Sequence, residues 1–186
     1  LAASGDVELA FPYKDCVLEG GQTKEDLRQT EILYNEALAP DAIDRLLAPK
    51  GLCLLPIRFK GGQALLYLYR PAVLHRDLQD RLAQRILSEA GYSCGGCGRC
   101  VAQLIRRFRE SGEFPHEVGL FLSYPPEDVQ GFIDHRACDF KCAGLWKVYS
   151  DEARAHRLFD RFKRCTEDYC ARWRAGSDIG QLAVAM

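Results

Sequence analysis

The sequence predicts an α+β fold in which several helices cover a small mixed sheet with a hairpin, in a single domain. Two β-rich runs flank the glycine pair Gly61-Gly62, as expected of a hairpin. Apolar residues recur at helical spacing in three later segments, residues 74–90, 97–111 and 151–173. Two short apolar runs between these segments have the length of strands. Because strands and helices do not alternate regularly, a doubly wound nucleotide-binding fold is not expected.

The composition limits the size and the partners of the protein. With 186 residues, of which 47% are hydrophobic, the chain can bury one core but not two enzyme domains. The 25 lysines and arginines against 26 aspartates and glutamates leave a formal charge of -1, which argues against nucleic acid as a partner. No apolar run approaches the roughly 18 residues that span a membrane. We therefore expect the partner to be a small ligand or another protein.

The cysteines and the first residues indicate a cytoplasmic location. Residues 1–10 lack a basic start followed by a long apolar core, so no secretory signal is visible. Nine cysteines, an odd number, cannot all pair in internal disulfides, and a reducing compartment would keep most as thiols. Free cysteine commonly behaves as a small buried hydrophobe. We therefore expect Cys53 and Cys165 in the core.

The chain is predicted to contain a helical N-terminal segment, residues 1–50, and an α+β domain, residues 51–186. In the segment, Thr23 can cap a helix while Asp26 reaches back from three residues later. Pro40 then begins a short second helix.

A hairpin followed by a helix is predicted at the start of the α+β domain. The runs 52–59 and 63–70 flank a glycine pair suited to a tight turn between antiparallel strands. A helix from about residue 74 to residue 90 follows, and Gly91 is its expected stop.

The helix predicted at residues 97–111 is amphipathic. The side chains expected to be buried recur at helical spacing: Val101, Leu104, Ile105 and Phe108. The side chains expected to point outward are arginines: Arg106, Arg107 and Arg109.

Two strands and two helices are predicted in the C-terminal part. Residues 118–123 read as a central strand because they are apolar on both faces, and residues 145–149 as another strand. Pro125-Pro126 begins a helix between them, and the last long helix begins near Asp151. The last helix is expected to bury one face: Ala155, Leu158, Phe159, Phe162, Cys165, Tyr169 and Trp173.

Two blocks of sequence carry a family resemblance. The first sequence block, residues 114–129, reads FPHEVGLFLSYPPEDV, and the second sequence block, residues 141–149, reads KCAGLWKVY. Together they resemble the signature FPHE-x-GLFL-x-YPPEDV-x-GF and KC-x-G-x-WKVY of an uncharacterised bacterial family, a domain of unknown function. Related features extend over residues 52–184, including a late Cys165-Thr166. No established activity comes with this resemblance, so it implies a relative rather than a reaction.

Residues 13–50 resemble the leading segment of type III restriction-system adenine methyltransferases. The two resemblances meet near Gly51, which suggests that the N-terminal segment is fused or replaced. The methyltransferases require an Asp-Pro-Pro-Tyr loop for the adenine amino group and a glycine-rich methyl-donor site. Here the paired prolines have the wrong flanking residues and Gly95-Gly96 lies among cysteines, so methyltransferase activity is rejected. A DNA-associated fragment, which would bind duplex in a salt-sensitive way, rests on this segment alone.

The cysteine triplet, Cys94, Cys97 and Cys100, has the spacing C-x-x-C-x-x-C. At this spacing a loop that turns into a helix can aim several thiolates at zinc or at an iron–sulfur cluster. Candidates for a fourth ligand lie together downstream: Cys142, Cys138 and His135. Alternatively, Cys94 and Cys97 cycle between dithiol and disulfide. The structural interpretation places Cys100 and Cys142 in the core and the other two cysteines in a loop.

His116 and Glu117 are the best acid–base candidates for catalysis, since a histidine near a carboxylate can titrate close to neutrality. No obvious nucleophile lies near them in the sequence. The structural alternative is that both side chains fix the turn after Pro115 by hydrogen bonds.

Two functions from different classes follow. The first is a cytoplasmic accessory or binding protein that uses the surface around His116, Glu117 and Tyr124. The alternative is a metal- or iron–sulfur-binding redox protein that uses the cysteine triplet. A Cys97→Ser variant separates them, because the redox protein would lose its function with the fold intact and the binding protein would not.

Overall fold

The computed structural model describes four ranges of the chain: residues 46–60, 63–93, 95–110 and 114–185. Several predicted features lie outside these residues: the helices at Thr23 and Pro40, the turn glycines Gly61 and Gly62, and Cys94.

The chain divides into two compact units, one comprising Leu1–Arg70 with Ala185–Met186 and the other Pro71–Val184. The described ranges contain seven α-helices and two antiparallel sheets of two strands each, which confirms the predicted α+β class. Within the described ranges, no helix is both long enough and apolar enough to cross a membrane.

The described part of the first unit contains the predicted hairpin. Strand β1, Cys53–Lys60, pairs antiparallel with strand β2, Gln63–Tyr69. The register shifts between Pro56 and Arg58, which leaves Ile57 as a bulge. Proline has no backbone N–H to donate, so an interruption of the ladder beside it costs little. The half-buried Cys53 lies at the start of β1, so the prediction that it is a core residue is only partly met.

The second unit begins with two helices where one was predicted. Helix α1 is Pro71–Asp77 and helix α2 is Arg81–Glu89. The Asp80 carboxylate accepts hydrogen bonds from the Leu82 and Ala83 backbone N–H groups, at 2.8 and 3.1 Å. Because Asp80 caps a new helix start, the single helix predicted for residues 74–90 is wrong. Gly91, with φ of 83°, ends α2 as expected.

Helix α3, Cys97–Glu110, confirms the predicted amphipathic helix. Val101, Leu104 and Phe108 are buried, at 2%, 0% and 6% exposure. Arg107 was expected to point outward, but its side chain is only 40% exposed and reaches a buried carboxylate.

The strand predicted at residues 118–123 is wrong, because Val118–Phe121 forms a single helical turn, α4. The run is apolar on both faces because Gly119, Leu120 and Phe121 are all buried. Periodicity cannot distinguish a short buried helix from a central strand, so the sequence supports either.

The remaining predicted elements agree with the structure, which adds one short strand and one short helix that were not predicted. Helix α5, Pro126–Asp134, begins at the paired prolines. Strand β3, Cys142–Ala143, pairs with β4, Lys147–Val148, which lies inside the predicted strand. Helix α6, Glu152–Arg174, follows the cap Asp151, and a short α7, Ile179–Leu182, comes last.

Burial along α6 is greatest in its first half. Ala155 is buried, and Leu158, Phe159 and Phe162 pack around the buried Trp146 and Val148. Three residues predicted to face the core are instead exposed: Cys165, Tyr169 and Trp173. The apolar stripe of the helix is therefore longer than the core that it meets.

The two sequence blocks are joined by a buried carboxylate. Asp128, in α5, is 2% exposed and accepts three hydrogen bonds. Its Oδ2 accepts from Trp146 Nε1 at 2.8 Å, and its Oδ1 accepts from the backbone N–H groups of Tyr149 and Ser150, each at 2.8 Å. A buried carboxylate is tolerated only with such partners. Asp128 therefore fixes the distance between α5, β4 and the start of α6.

Two glycines allow this close approach. A Cβ atom on Gly131, in α5, would overlap the Tyr149 ring, and one on Gly144 would overlap the Phe159 ring. These positions therefore have no room for any side chain.

Asp128→Asn is expected to lower the free energy of unfolding by about 1–3 kcal/mol, because the carboxamide N–H₂ group would face the Trp146 indole N–H, leaving a buried donor unpaired. Urea unfolding measures this. Glu127→Gln is the matched control, since Glu127 is an exposed acidic neighbour in the same helical turn. Equal destabilisation by the two variants would contradict the role of Asp128.

Gly131→Ala is expected to destabilise by about 1–3 kcal/mol through overlap with the Tyr149 ring. Gly98→Ala, also in a helix, has nothing within 4 Å of the added Cβ and should be neutral or stabilising by up to about 1 kcal/mol. Thermal unfolding of both variants compares them directly. A Gly131→Ala variant as stable as Gly98→Ala would refute the close contact.

Candidate functional site

A cavity of about 280 Å³ lies in the second unit, between α2, α3, α5 and the segment before α4. Its apolar lining comes from five residues: Ile86, Ala90, Phe114, Pro115 and Ile133. Its polar lining also comes from five residues: Glu89, Arg107, His116, Glu117 and Gln130. We call this space the Glu117 cavity. It combines an apolar wall with a few polar groups, as small-molecule sites do.

Glu117 forms a fixed network at this cavity. The carboxylate is 4% exposed, and its Oε1 accepts a hydrogen bond from the Tyr92 hydroxyl at 2.9 Å. Arg107 Nε lies 2.8 Å from the same oxygen, in an ion pair whose alignment is too poor for a hydrogen bond. Arg107 Nη1 also donates to the Ala90 carbonyl at 2.7 Å. The guanidinium therefore ties Glu117 to the end of α2.

The network keeps Tyr92 neutral. Burial raises the pKa of the Tyr92 phenol well above its usual value, and the negative charge of Glu117 and the hydrogen bond to it raise the pKa further. The nearby Arg107 acts in the opposite direction but more weakly. A phenol held in this way donates a hydrogen bond and does not serve as a base near neutral pH. The geometry suits binding better than proton transfer.

The predicted acid–base pair lies at this cavity, since His116 and Glu117 both line it. His116 is exposed, and its ring packs against Phe132 with the ring centres 5.2 Å apart. Glu117 is held by Tyr92 and Arg107 and is already occupied as an acceptor. Proton transfer by His116 and Glu117 stays a prediction.

Gln130 presents an unsatisfied acceptor. Its Nε2 donates to Asp134 Oδ1 at 2.7 Å, which fixes the orientation of the amide. Its Oε1 is buried and accepts no hydrogen bond from the described residues. Buried polar atoms are nearly always paired, so an orphan acceptor in a residue that lines a cavity indicates a place for a ligand donor.

The predicted cysteine ligands lie in two places. Cys97 and the buried Cys100, at the start of α3, line a small cleft of about 40 Å³ together with His75. Cys142 lies in β3, where its ligand atom groups with those of Glu152 and His156, all within 4.8 Å of one another. No other group of three potential ligand residues this close occurs in the described ranges. A shared site for Cys94, Cys97, Cys100 and Cys142 stays a prediction.

Several residues of these sites were missed by sequence reasoning. In the sequence, Tyr92 reads as the end of a helix and Arg107 as part of a solvated helix face. Their partner Glu117 is distant in sequence, so nothing local indicates the network. Glu152 and His156 offered one readable signal, since residues four apart on a helix share a face. Cys142, ten residues before Glu152, is the third potential ligand near that pair.

Comparison with known proteins identifies the family. Residues 21–183 match a family described as Protein of unknown function (DUF3793). The chain belongs to this family. No curated protein and no solved structure matches the chain. Membership in DUF3793 confirms the expected assignment to an uncharacterised family, and the match includes residues 21–50, the greater part of the predicted helical N-terminal segment.

The buried Tyr92 and the half-buried Tyr124 of this DUF3793 chain predict a loss of stability at high pH. Burial raises the pKa of Tyr124, which stacks on Trp146, from 10.0 to about 12, and the pKa of Tyr92 also rises. The pKa of Tyr124 is higher in the folded than in the unfolded protein. Its contribution to the free energy of unfolding is therefore complete below about pH 10 and is lost as pH rises through about 12. Urea unfolding between pH 9 and pH 12, values chosen to bracket the ordinary tyrosine pKa of about 10, measures the loss.

Tyr124→Phe should make the pH dependence shallower, since phenylalanine has no proton to lose. Tyr169→Phe serves as the control because Tyr169 is 41% exposed. An unchanged pH dependence in Tyr124→Phe would contradict the assignment.

Proposed function

We propose that the protein is an accessory or binding protein that holds a small, partly apolar molecule in the Glu117 cavity. The observation that supports this most strongly is Gln130, a residue of the cavity lining whose buried Oε1 accepts no hydrogen bond from the described residues. A ligand N–H or O–H group would satisfy it.

The size of the cavity limits the ligand. Ligand pockets for drug-sized molecules usually measure about 300–1,000 Å³, so a cavity of about 280 Å³ lies just below that range and favours a molecule of one or two rings. Ile86, Phe114 and Ile133 provide apolar contact for the body of such a molecule.

The charge balance favours a neutral ligand. Arg107 and Glu117 neutralise each other through their ion pair, and Glu89, the other acidic residue of the lining, has its Oε1 atom 3.9 Å from Arg85 Nε. A guanidinium carries five N–H donors, and Arg107 directs Nε at Glu117 and one Nη1 donor at Ala90. Its remaining donors can meet a ligand acceptor. A primary amide or a nitrogen heterocycle offers a donor for Gln130 and an acceptor for Arg107 on one edge.

The network also supports binding by restricting motion. Ala90 and Glu117 hold the Arg107 side chain before any ligand arrives, and Tyr92 in turn holds Glu117. A side chain that is already ordered loses less conformational entropy on binding, which raises affinity.

The alternative function, a metal- or iron–sulfur-binding redox protein, rests on the cysteine triplet. In its favour, Cys97 and Cys100 line one cleft together with His75. The free thiols of Cys53, Cys138, Cys142 and Cys165 also support the proposal of a reducing, cytoplasmic location. We favour the binding protein because the Glu117 cavity has both room and an orphan acceptor.

Binding of benzamide, nicotinamide and uracil, measured by ligand-observed NMR on the full chain, tests the proposal. We expect at least one to bind, and Gln130→Leu to weaken that binding by about 2- to 12-fold, the range for one neutral hydrogen bond. Gln84→Leu is the control, since Gln84 is exposed on α2 and does not line this cavity.

Cys97→Ser should leave binding unchanged, which separates this function from one that uses the cysteine triplet. The proposal fails if none of the three probes binds the wild-type protein. It also fails if Gln130→Leu binds every probe as tightly as Gln84→Leu does.

A further inference from the structure

Cys142, Glu152 and His156 form a second group of potential ligands, which we call the hairpin–helix group. Their ligand atoms, a thiol sulfur, a carboxylate oxygen and an imidazole nitrogen, lie within 4.8 Å of one another. None of the three residues lines the Glu117 cavity. What the group binds therefore goes beyond the proposed function.

The fold places these residues for identifiable reasons. Cys142 lies in β3 directly opposite Val148 of β4, whose side chain is fully buried, so the hairpin is anchored to the core. Glu152 is the first residue of α6, after its cap Asp151. His156 lies four residues later, which puts it on the same helix face as Glu152.

We propose that Cys142, Glu152 and His156 bind one zinc-class divalent cation, with a fourth coordination position left for water or a small ligand. Thiolate, imidazole and carboxylate are together the ligands that zinc accepts. Magnesium and calcium prefer oxygen ligands and would not use the thiol. Three protein ligands and one open position are the arrangement found in catalytic rather than structural zinc sites.

The distances permit coordination with a small adjustment. Zinc binds these atoms at about 2.0–2.3 Å, so tetrahedral ligand atoms are separated by about 3.5 Å. The hairpin–helix group therefore needs to contract by about 1 Å from its upper limit of 4.8 Å. Glu152 and His156 are exposed and can rotate, while half-buried Cys142 provides the fixed point.

The electrostatic surroundings also favour a cation. Glu152 places a negative charge beside the Cys142 sulfur. That carboxylate attracts a divalent cation. On coordination the thiol proton is released to solvent and the sulfur binds the metal as thiolate.

Cobalt(II) is the probe for the test, because a cobalt–thiolate bond gives a charge-transfer absorption that oxygen or nitrogen ligands do not. The full chain, freed of metal by a chelator, is titrated with cobalt and then with zinc in competition. We expect one equivalent of cobalt to absorb through Cys142 and to be displaced by zinc. Cys142→Ser should abolish this absorption.

The exposed ligands provide variants that keep the fold. Glu152→Gln and His156→Asn change side chains that are exposed on α6, so circular dichroism should remain unchanged. Loss of a residue that only hydrogen-bonds to a metal ligand weakens metal affinity by about 10- to 100-fold. Because Glu152 and His156 bind the metal directly in this proposal, each variant should weaken cobalt affinity by more than that. Cys138→Ser is the matched control, an exposed free thiol in the loop before β3.

Cys97→Ser distinguishes this group from the cysteine triplet. Cys97→Ser should still bind one equivalent of cobalt per chain, whereas Cys142→Ser and His156→Asn should not. The proposal is overturned if the thiolate absorption is absent from the wild-type protein, or if it persists in Cys142→Ser.

Discussion

The buried carboxylate of Asp128 is the interaction on which the second unit depends. It gathers an indole N–H and two backbone N–H groups from the stretch that leaves β4 and enters α6. Gln130, which lines the Glu117 cavity, lies two residues further along the same helix. Glu152, in the hairpin–helix group, lies two residues after the last N–H group that Asp128 accepts. Both candidate sites therefore take their positions from one carboxylate.

The two sequence blocks are best understood as surfaces that pack on each other. Asp128 in the first block bonds Trp146 in the second, and Gly131, just after the first block, leaves room for the Tyr149 ring. These distinctive residues of the two blocks therefore stabilise the fold. Glu117 and Cys142 are different, because one lines a cavity and the other faces two potential metal ligands.

The sequence predicted the elements whose signals are local. The hairpin, α3 and the start of α6 follow from turn chemistry, periodicity and a cap, each readable within a few residues. The turn α4 was misread as a strand because burial on all sides removes periodicity. Both sites were found only in part, since Glu117 meets Tyr92 and Arg107, and Cys142 meets His156, across folded distances that spacing does not encode. A carboxylate bonded from 25 residues away gives no pattern in the chain.

The uneven burial of α6 has a consequence for motion. The helix has 23 residues and is about 34 Å long, and its one buried residue, Ala155, lies in the first half. Its later turns carry only half-buried or exposed side chains, with surface pairs such as Asp168 and Arg172. Such turns can open and close without breaking the core, so amide hydrogen exchange should accelerate along the helix toward its carboxyl end. The amides near His156, in the first half of α6, should therefore exchange more slowly than those near its carboxyl end.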